Sequence, residues 1–274
     1  MRPLNAPLHD WAGLRVWVVG ASSGIGAALA VEALQAGAQV ALSARRADRL
    51  QEVAGDFPQA LVAQLDILDN DAWRQRHEQI CARFGGVDLI VFCAADYRPE
   101  RSWEVAPERA AHTLQTNLGS VYTGLATVLP AMLARGSGGI AIVASVAGYF
   151  GLPNASVYGP TKAALINLAE LLYVDLHPRG LNVYLINPGF VQTQLTAKNE
   201  FAMPALQTPQ AAARAIRAGI SGGRFEIHFP RRFTLALKLV QWLPYRLRFP
   251  LISRLVSAPA VGDQPASGGG QRGQ

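Results

Sequence analysis

Residues 14–26, LRVWVVGASSGIG, decide the fold of this chain. The first half is apolar and rich in valine, as in a buried strand, and the glycine turn leads into a helical run, AALAVEALQAG, over residues 27–37. In such a unit the glycines let the backbone approach a pyrophosphate, whose charge is favoured by the free N–H groups and the dipole of the helix N-terminus. A tight turn without a ligand is the alternative, but the position directly after a first strand favours dinucleotide binding.

The next predicted strand, over residues 39–44, ends in Arg45 and Arg46. At this place in a dinucleotide-binding fold an acid would bind the ribose hydroxyls, whereas an arginine pairs with a 2′-phosphate. Because no acid stands here, the sequence favours NADP(H) over NAD(H). The alternative is that both arginines only solvate the start of a helix, and this is the role that we assign to Arg46.

Strand-like and helical segments alternate along the rest of the chain. We predict strands over 60–67, 87–93, 138–145, 181–187 and 225–228, and helices over 70–84, 104–135, 155–176 and 209–220. This alternation predicts parallel βαβ units in one doubly wound α/β sheet. Sites in such sheets lie beyond the carboxyl ends of the strands, where we find Gly20, Arg45, Asp66, Cys93 and Ser145.

Residues 143–162, VASVAGYFGLPNASVYGPTK, carry a candidate catalytic group. Tyr158 and Lys162 are four residues apart, a rotation of about 400° in a helix, so they point from one face. A phenol titrates near pH ~10, and a nearby ammonium lowers that pKa toward the range useful for general acid–base catalysis. Ser145 could then hold a carbonyl oxygen while Tyr158 protonates it. The alternative is a plain helix start, since Pro160 suits a first turn.

These motifs jointly resemble the classical short-chain dehydrogenase/reductase family over residues 14 to about 229. The resemblance implies a Rossmann-like sheet in three layers, and hydride transfer between NADP(H) and a carbonyl or alcohol substrate. It also implies that Tyr158 is the acid/base, Lys162 lowers its pKa and binds the nicotinamide ribose, Ser145 orients the carbonyl and Asn117 supports a water relay. The cofactor-binding residues implied are Gly20, Ser22, Ser23, Gly24, Ile25, Gly26, Arg45, Asp66, Cys93, Ala94, Ala95, Tyr158, Lys162, Pro188, Gly189, Val191 and Thr193.

The chain departs from the family pattern at two places. Val19 stands where a threonine commonly precedes the first glycine, and residues 92–95, FCAA, replace the usual Asn-Asn-Ala-Gly. Packing by Phe92 can substitute for the first asparagine, and Ala95 adds one methyl group near the cofactor. For Asn117, which is a poor helix former, a place on the solvent face is the alternative. Relatives usually pair through the helices around Asn117 and Tyr158, so we expect a homodimer or homotetramer.

Several residues are candidates for the wall of an apolar substrate pocket. In relatives the segment that corresponds to residues 194–206 forms a lid over the substrate. Ordinary core positions are the alternative for each of these residues. The candidates are Tyr149, Phe150, Leu152, Phe201 and Met203.

The net charge of +6 is carried largely by the C-terminal part, because residues 224–254 hold seven Lys and Arg against Glu226 alone. This distribution gives no indication of nucleic-acid binding. Cys81 and Cys93 provide neither a disulfide framework nor metal-ligand spacing, so we expect free thiols in a reducing compartment and no metal. No signal peptide and no apolar run of ~18 residues are present, so we expect a cytoplasmic protein.

The C-terminal extension is basic and amphipathic. Within residues 233–256, Leu235, Leu239 and Trp242 share one helical face, and Pro244 and Pro250 should break the run. Contact with the inner face of a membrane is one interpretation; helices that fold over the substrate pocket or cover a dimer surface are the others. We therefore divide the chain into a domain (1–232), this extension (233–256) and a disordered tail (257–274). An NADP(H)-sensing scaffold or a membrane-surface interaction protein remains the alternative function.

Overall fold

The computed structural model describes residues 2–198 and 203–255 of the chain. Phe201, Val256 and the predicted tail over 257–274 lie outside the described residues. No helix in these two ranges is both long and apolar enough to cross a membrane.

Seven parallel strands form one sheet in the order β3-β2-β1-β4-β5-β6-β7. The chain leaves the central strand β1 first toward one edge and then, from β4 onward, toward the other, which confirms the doubly wound prediction. The strands are β1 Arg15–Val19, β2 Gln39–Ser43, β3 Ala60–Val62, β4 Leu89–Phe92, β5 Gly138–Val143, β6 Leu181–Pro188 and β7 Glu226–Phe229.

Helices cover both faces of the sheet, because successive side chains of each strand point to opposite sides. Val16 and Val18 pack in the core that includes the first helix, whereas Trp17 and Val19 pack in a second core on the other face. The result is a single domain of three layers, as predicted. The helices are α1 Gly24–Gln35, α2 Ala47–Ala54, α3 Asn70–Phe84, α4 Pro107–Leu114, α5 Ser120–Arg135, α6 Tyr158–Leu176, α7 Pro209–Ser221, α8 Arg231–Gln241 and α9 Tyr245–Leu255.

Some predicted boundaries differ from the structure. The segment predicted as strand 60–67 is regular only to Val62, although Leu65 still donates to the carbonyl of Ala44 and so carries Asp66 to the same sheet end. The long helix over 104–135 begins at Pro107, which suits a first turn, and contains a π-turn over Gln115–Gly119. Pro250 lies inside α9, so only Pro244 separates the two C-terminal helices.

The N-terminal segment is fastened to the edge of the sheet near β6 and β7. Asn5 is buried, and its side-chain amide pairs with Val183 in both directions, donating to the carbonyl at 2.8 Å and accepting from the N–H at 3.1 Å. Its own N–H donates to the carbonyl of Gly223, at the end of α7. This segment therefore joins the region where the last strand and the C-terminal helices are attached.

Candidate active site

A cavity of about 790 Å³ lies at the carboxyl ends of the strands. Its walls include all the predicted cofactor-binding residues and, from the predicted catalytic group, Ser145, Tyr158 and Lys162. Asn117 is the member of that group that does not line it. The fold therefore gathers residues from six different strand ends around one space.

The glycine turn forms a cradle whose close backbone packing excludes larger residues at two positions. A Cβ on Gly26 would lie 2.2 Å from the carbonyl oxygen of Gly20, and a Cβ on Gly20, which has φ +97°, would lie 2.5 Å from the nitrogen of Ala94. Ser23 is the N-cap of α1 but makes no side-chain capping hydrogen bond. Since the first N–H groups of a helix need acceptors, this end of α1 suits a pyrophosphate.

Two arginines border the cavity beside the glycine turn. Gln64 donates to the carbonyl of Arg45 at 2.8 Å, which ties the end of β2 to the segment after β3. Arg46 also lines the cavity, and its Nη2 donates to the hydroxyl of Ser22 at 3.3 Å. Arg46 is the exposed N-cap residue of α2, as assigned, and it borders the cavity as well. Both arginines therefore belong to the wall of the cavity.

Ser145, Tyr158 and Lys162 come together at the carboxyl end of β5. The ammonium of Lys162 lies 5.4 Å from the centroid of the Tyr158 ring and donates to the carbonyl of Val143 at 2.9 Å. Ser145 follows β5, and its hydroxyl accepts from the N–H of Ala147 at 3.1 Å, which fixes the short turn after the strand. The first turn of α6 thus presents the phenol and the ammonium together.

Burial is the main cause of the pKa shifts of Tyr158 and Lys162. It raises the pKa of Tyr158 above the ordinary range, and the hydrogen bond with Ser145 offsets this only in part. Burial also lowers the pKa of Lys162 to about 8. The sequence predicts that Lys162 lowers the pKa of the phenol. In the structure desolvation is the larger influence, and the net shift of this pKa is upward. Tyr158 is accordingly a protonated phenol at neutral pH, which is the form that donates a proton.

Asn117 is held behind the cavity by three hydrogen bonds. Its Oδ1 accepts from the N–H of Asp96 at 2.6 Å, while its Nδ2 donates to the carbonyl of Asp96 and to the hydroxyl of Thr161. It is buried, so the alternative of a solvent-facing asparagine is wrong. The π-turn widens the helix here and turns the amide toward the segment that follows β4.

The structure adds residues that the sequence did not indicate. Tyr97 packs edge-on against Tyr158, with ring centroids 4.8 Å apart, and His112 and Thr116 line the cavity. Tyr97 comes shortly after β4, so the rule that sites follow strand ends could have found it. His112 and Thr116 lie within helical segments, far from any strand end, so that rule does not indicate them.

The candidate pocket walls divide into two groups. Tyr149 and Phe150 pack with Val146, Phe233 and Leu237, so they form a small core against α8 and do not line the main cavity. Leu152 and Met203 are half-buried and lie outside that cavity's wall as well. For Tyr149 the ordinary-core alternative is correct.

Glu226 connects the C-terminal helices to the loop that follows Ser145. Its carboxylate accepts hydrogen bonds from Tyr149 and Asn187, both at 2.9 Å, and pairs with Lys238 of α8. Burial alone would raise the pKa of Glu226, but these donors outweigh it and hold the pKa below its usual range. Since Asn187 directly precedes Pro188, which lines the cavity, this carboxylate links the loop after Ser145 to that part of the cavity wall.

Comparison with known proteins identifies the class to which this site belongs. Residues 15–203 match the family model described as short chain dehydrogenase. An uncharacterized oxidoreductase of Myxococcus xanthus is 34% identical over 231 residues, which are 83% of this chain and 91% of that protein. The chain belongs to the short-chain dehydrogenase family, and it is an oxidoreductase that exchanges hydride with a nicotinamide cofactor.

Solved structures share the fold. A short-chain dehydrogenase from Streptomyces avermitilis superposes with a TM-score of 0.78 at 24% identity, covering 88% of this chain and 97% of that one. The closed form of serine dehydrogenase complexed with NADP+ superposes with a TM-score of 0.72 at 24% identity, covering 79% and 94%.

Proposed function

We propose that this protein is an NADP(H)-dependent oxidoreductase acting on a carbonyl or alcohol group, with Tyr158 as general acid/base. The observation that carries the proposal is the junction of Tyr158, Lys162 and Ser145 in the cavity that begins at the glycine cradle. When bound, the nicotinamide supplies the hydride. The N-terminus of α1, together with Arg45 and Arg46, would hold the phosphates of the dinucleotide.

The side chains have distinct tasks in the reducing direction. Ser145 donates a hydrogen bond to the carbonyl oxygen and so orients the carbonyl carbon. Tyr158 is protonated at neutral pH, as a phenol ordinarily is, and burial raises its pKa further; it gives its proton to the same oxygen as negative charge develops there. Lys162 retains its proton at pH 7, because its pKa of about 8 lies above that pH, and its charge stabilises the phenolate that remains.

Two features support an apolar, lipid-like substrate and NADP(H). The C-terminal helical region exposes apolar side chains such as Leu239 and Trp242 beside the domain, and both arginines at the end of β2 border the cavity. We also propose a homodimer or homotetramer, working in the cytoplasm at the inner face of a membrane. The domain over 1–232, the extension over 233–256 and the tail over 257–274 belong to the same proposal.

The test follows NADPH absorbance with a panel of apolar ketones, aldehydes, 3-oxoacyl esters and steroids. We expect oxidation with at least one of them, and its loss in Tyr158→Phe, which keeps the ring and removes the proton. Arg45→Ser with Arg46→Ser should weaken NADPH binding more than NADH binding. NADPH binding without any turnover would favour the sensing scaffold, and no binding of either nucleotide would overturn the proposal.

A further inference from the structure

Helix α8 has two apolar faces with different environments. Thr234 and Leu237 are buried against the domain. On the opposite side Leu239 is 71% exposed and Trp242 is 88% exposed, and Leu235 lies one turn before them. The inner face therefore accounts for the folding of this helix, whereas the outer face does not contribute to it.

Exposed apolar residues continue into α9. Tyr245, Leu247 and Phe249 are all more than half exposed. We call the set formed by Leu235, Leu239, Trp242, Tyr245, Leu247 and Phe249 the C-terminal surface. Exposed apolar residues that occur singly need no explanation, but six of them on two successive helices indicate a binding face.

The charged residues along the C-terminal helices have one sign. Residues 227–255 contain six Lys and Arg and no Asp or Glu. Arg231, Arg232 and Arg246 are exposed, whereas Lys238 turns inward and pairs with Glu226. Apolar and aromatic side chains bordered by cations alone are complementary to a lipid surface with anionic headgroups.

We propose that the C-terminal surface docks on an anionic membrane, with α8 and α9 lying in the interface. The inner face of α8 supports Tyr149 and the loop that follows Ser145, so docking holds the active site beside the bilayer. If the proposed function holds, docking has one further consequence: a lipid-like carbonyl substrate enters the site from the membrane. Only this consequence rests on the proposed function.

The experiment is flotation of the full-length protein with vesicles of phosphatidylcholine, with and without phosphatidylserine. We expect flotation with the anionic vesicles, falling as salt is raised. Arg231→Ser with Arg232→Ser should lower partitioning about 30-fold, and Leu239→Glu with Trp242→Glu about tenfold or more. Trp103→Glu is the matched control, because Trp103 is 81% exposed outside this surface, and it should float like the wild type.

Two further measurements separate the outcomes. Tyr158→Phe should float normally, so docking is tested independently of turnover, and a failure of the proposed reaction leaves this result unchanged. Sedimentation without vesicles should give the same mass for the wild type and for Leu239→Glu/Trp242→Glu. Absence of flotation, equal flotation of all variants, or a smaller mass for the double variant would overturn the proposal; the last outcome would assign the surface to a second copy of this chain.

Discussion

We expect Lys238→Met to destabilise the protein because it leaves the carboxylate of Glu226 without its cation. The two side chains are 29% and 23% exposed. Removing one partner of a buried pair costs about 3–5 kcal/mol, and this pair keeps some contact with water, so we expect about 2–3 kcal/mol. For a domain of this size that loss lowers the Tm by about 4–6 °C.

The assay is thermal and urea unfolding of a double-mutant cycle. Glu226→Gln/Lys238→Met removes both charges, and the amide still accepts from Tyr149 and Asn187. We therefore expect the double variant to lose at least about 1 kcal/mol less free energy of unfolding than the two single variants lose together. Arg74→Met is the control, because Arg74 pairs with Asp71 in a largely exposed bridge, and its effect should stay within about 0.5 kcal/mol.

The pH dependence gives this reasoning a second test. In the wild type the lowered pKa of Glu226 contributes stability above the ordinary pKa of a glutamate, and this contribution is lost as pH falls through the folded value. Without Lys238, burial raises that pKa, so protonation relieves the buried charge. The deficit of Lys238→Met should then shrink between pH 7 and pH 5. Equal losses in the single and double variants, or a deficit that stays constant, would refute the assigned pair.

Three other predictions concern single residues. Lys162→Met should abolish turnover yet unfold at a higher temperature than the wild type at pH 7; because the folded pKa of about 8 lies below that of an unfolded lysine, this advantage should vanish between pH 8 and about pH 10.4. Gly26→Ala should lower NADPH affinity, measured by fluorescence titration, at least about 100-fold since its methyl group would collide with the carbonyl oxygen of Gly20 and displace the turn, whereas Gly151→Ala, which meets open space, should not. Asn5→Ala leaves both backbone groups of Val183 without their partner, so it should cost about 2–3 kcal/mol in urea unfolding.

The sheet could be predicted because its evidence is local. Each strand ends near a glycine or a polar residue, and the alternation with helices fixes parallel pairing. The rule that sites follow strand ends indicated Gly20, Arg45, Asp66, Cys93 and Ser145, whereas the remaining cofactor-binding residues were implied by the family resemblance. The predicted ends of segments were less accurate where contacts with neighbouring strands determine them. At β3, the residues after Val62 still hydrogen-bond to the end of β2 without forming a regular strand.

Contacts between distant segments could not be predicted. The bond from Arg46 to Ser22 depends on how the start of α2 meets the glycine turn, and the edge contact of Tyr97 with Tyr158 depends on the path of the loop after β4. The raised pKa of Tyr158 has the same origin, because spacing brings an ammonium near but does not reveal how much water is removed.

The π-turn over Gln115–Gly119 limits how this chain can change during evolution. Removing one residue there would restore regular α-helical geometry and rotate the flanking segments by about 100° relative to each other. Either Asn117 would leave Asp96 and Thr161, or Val121 and Leu125 of α5 would leave the core. Homologues that keep both should therefore differ here by substitution, while insertions and deletions accumulate in the loops.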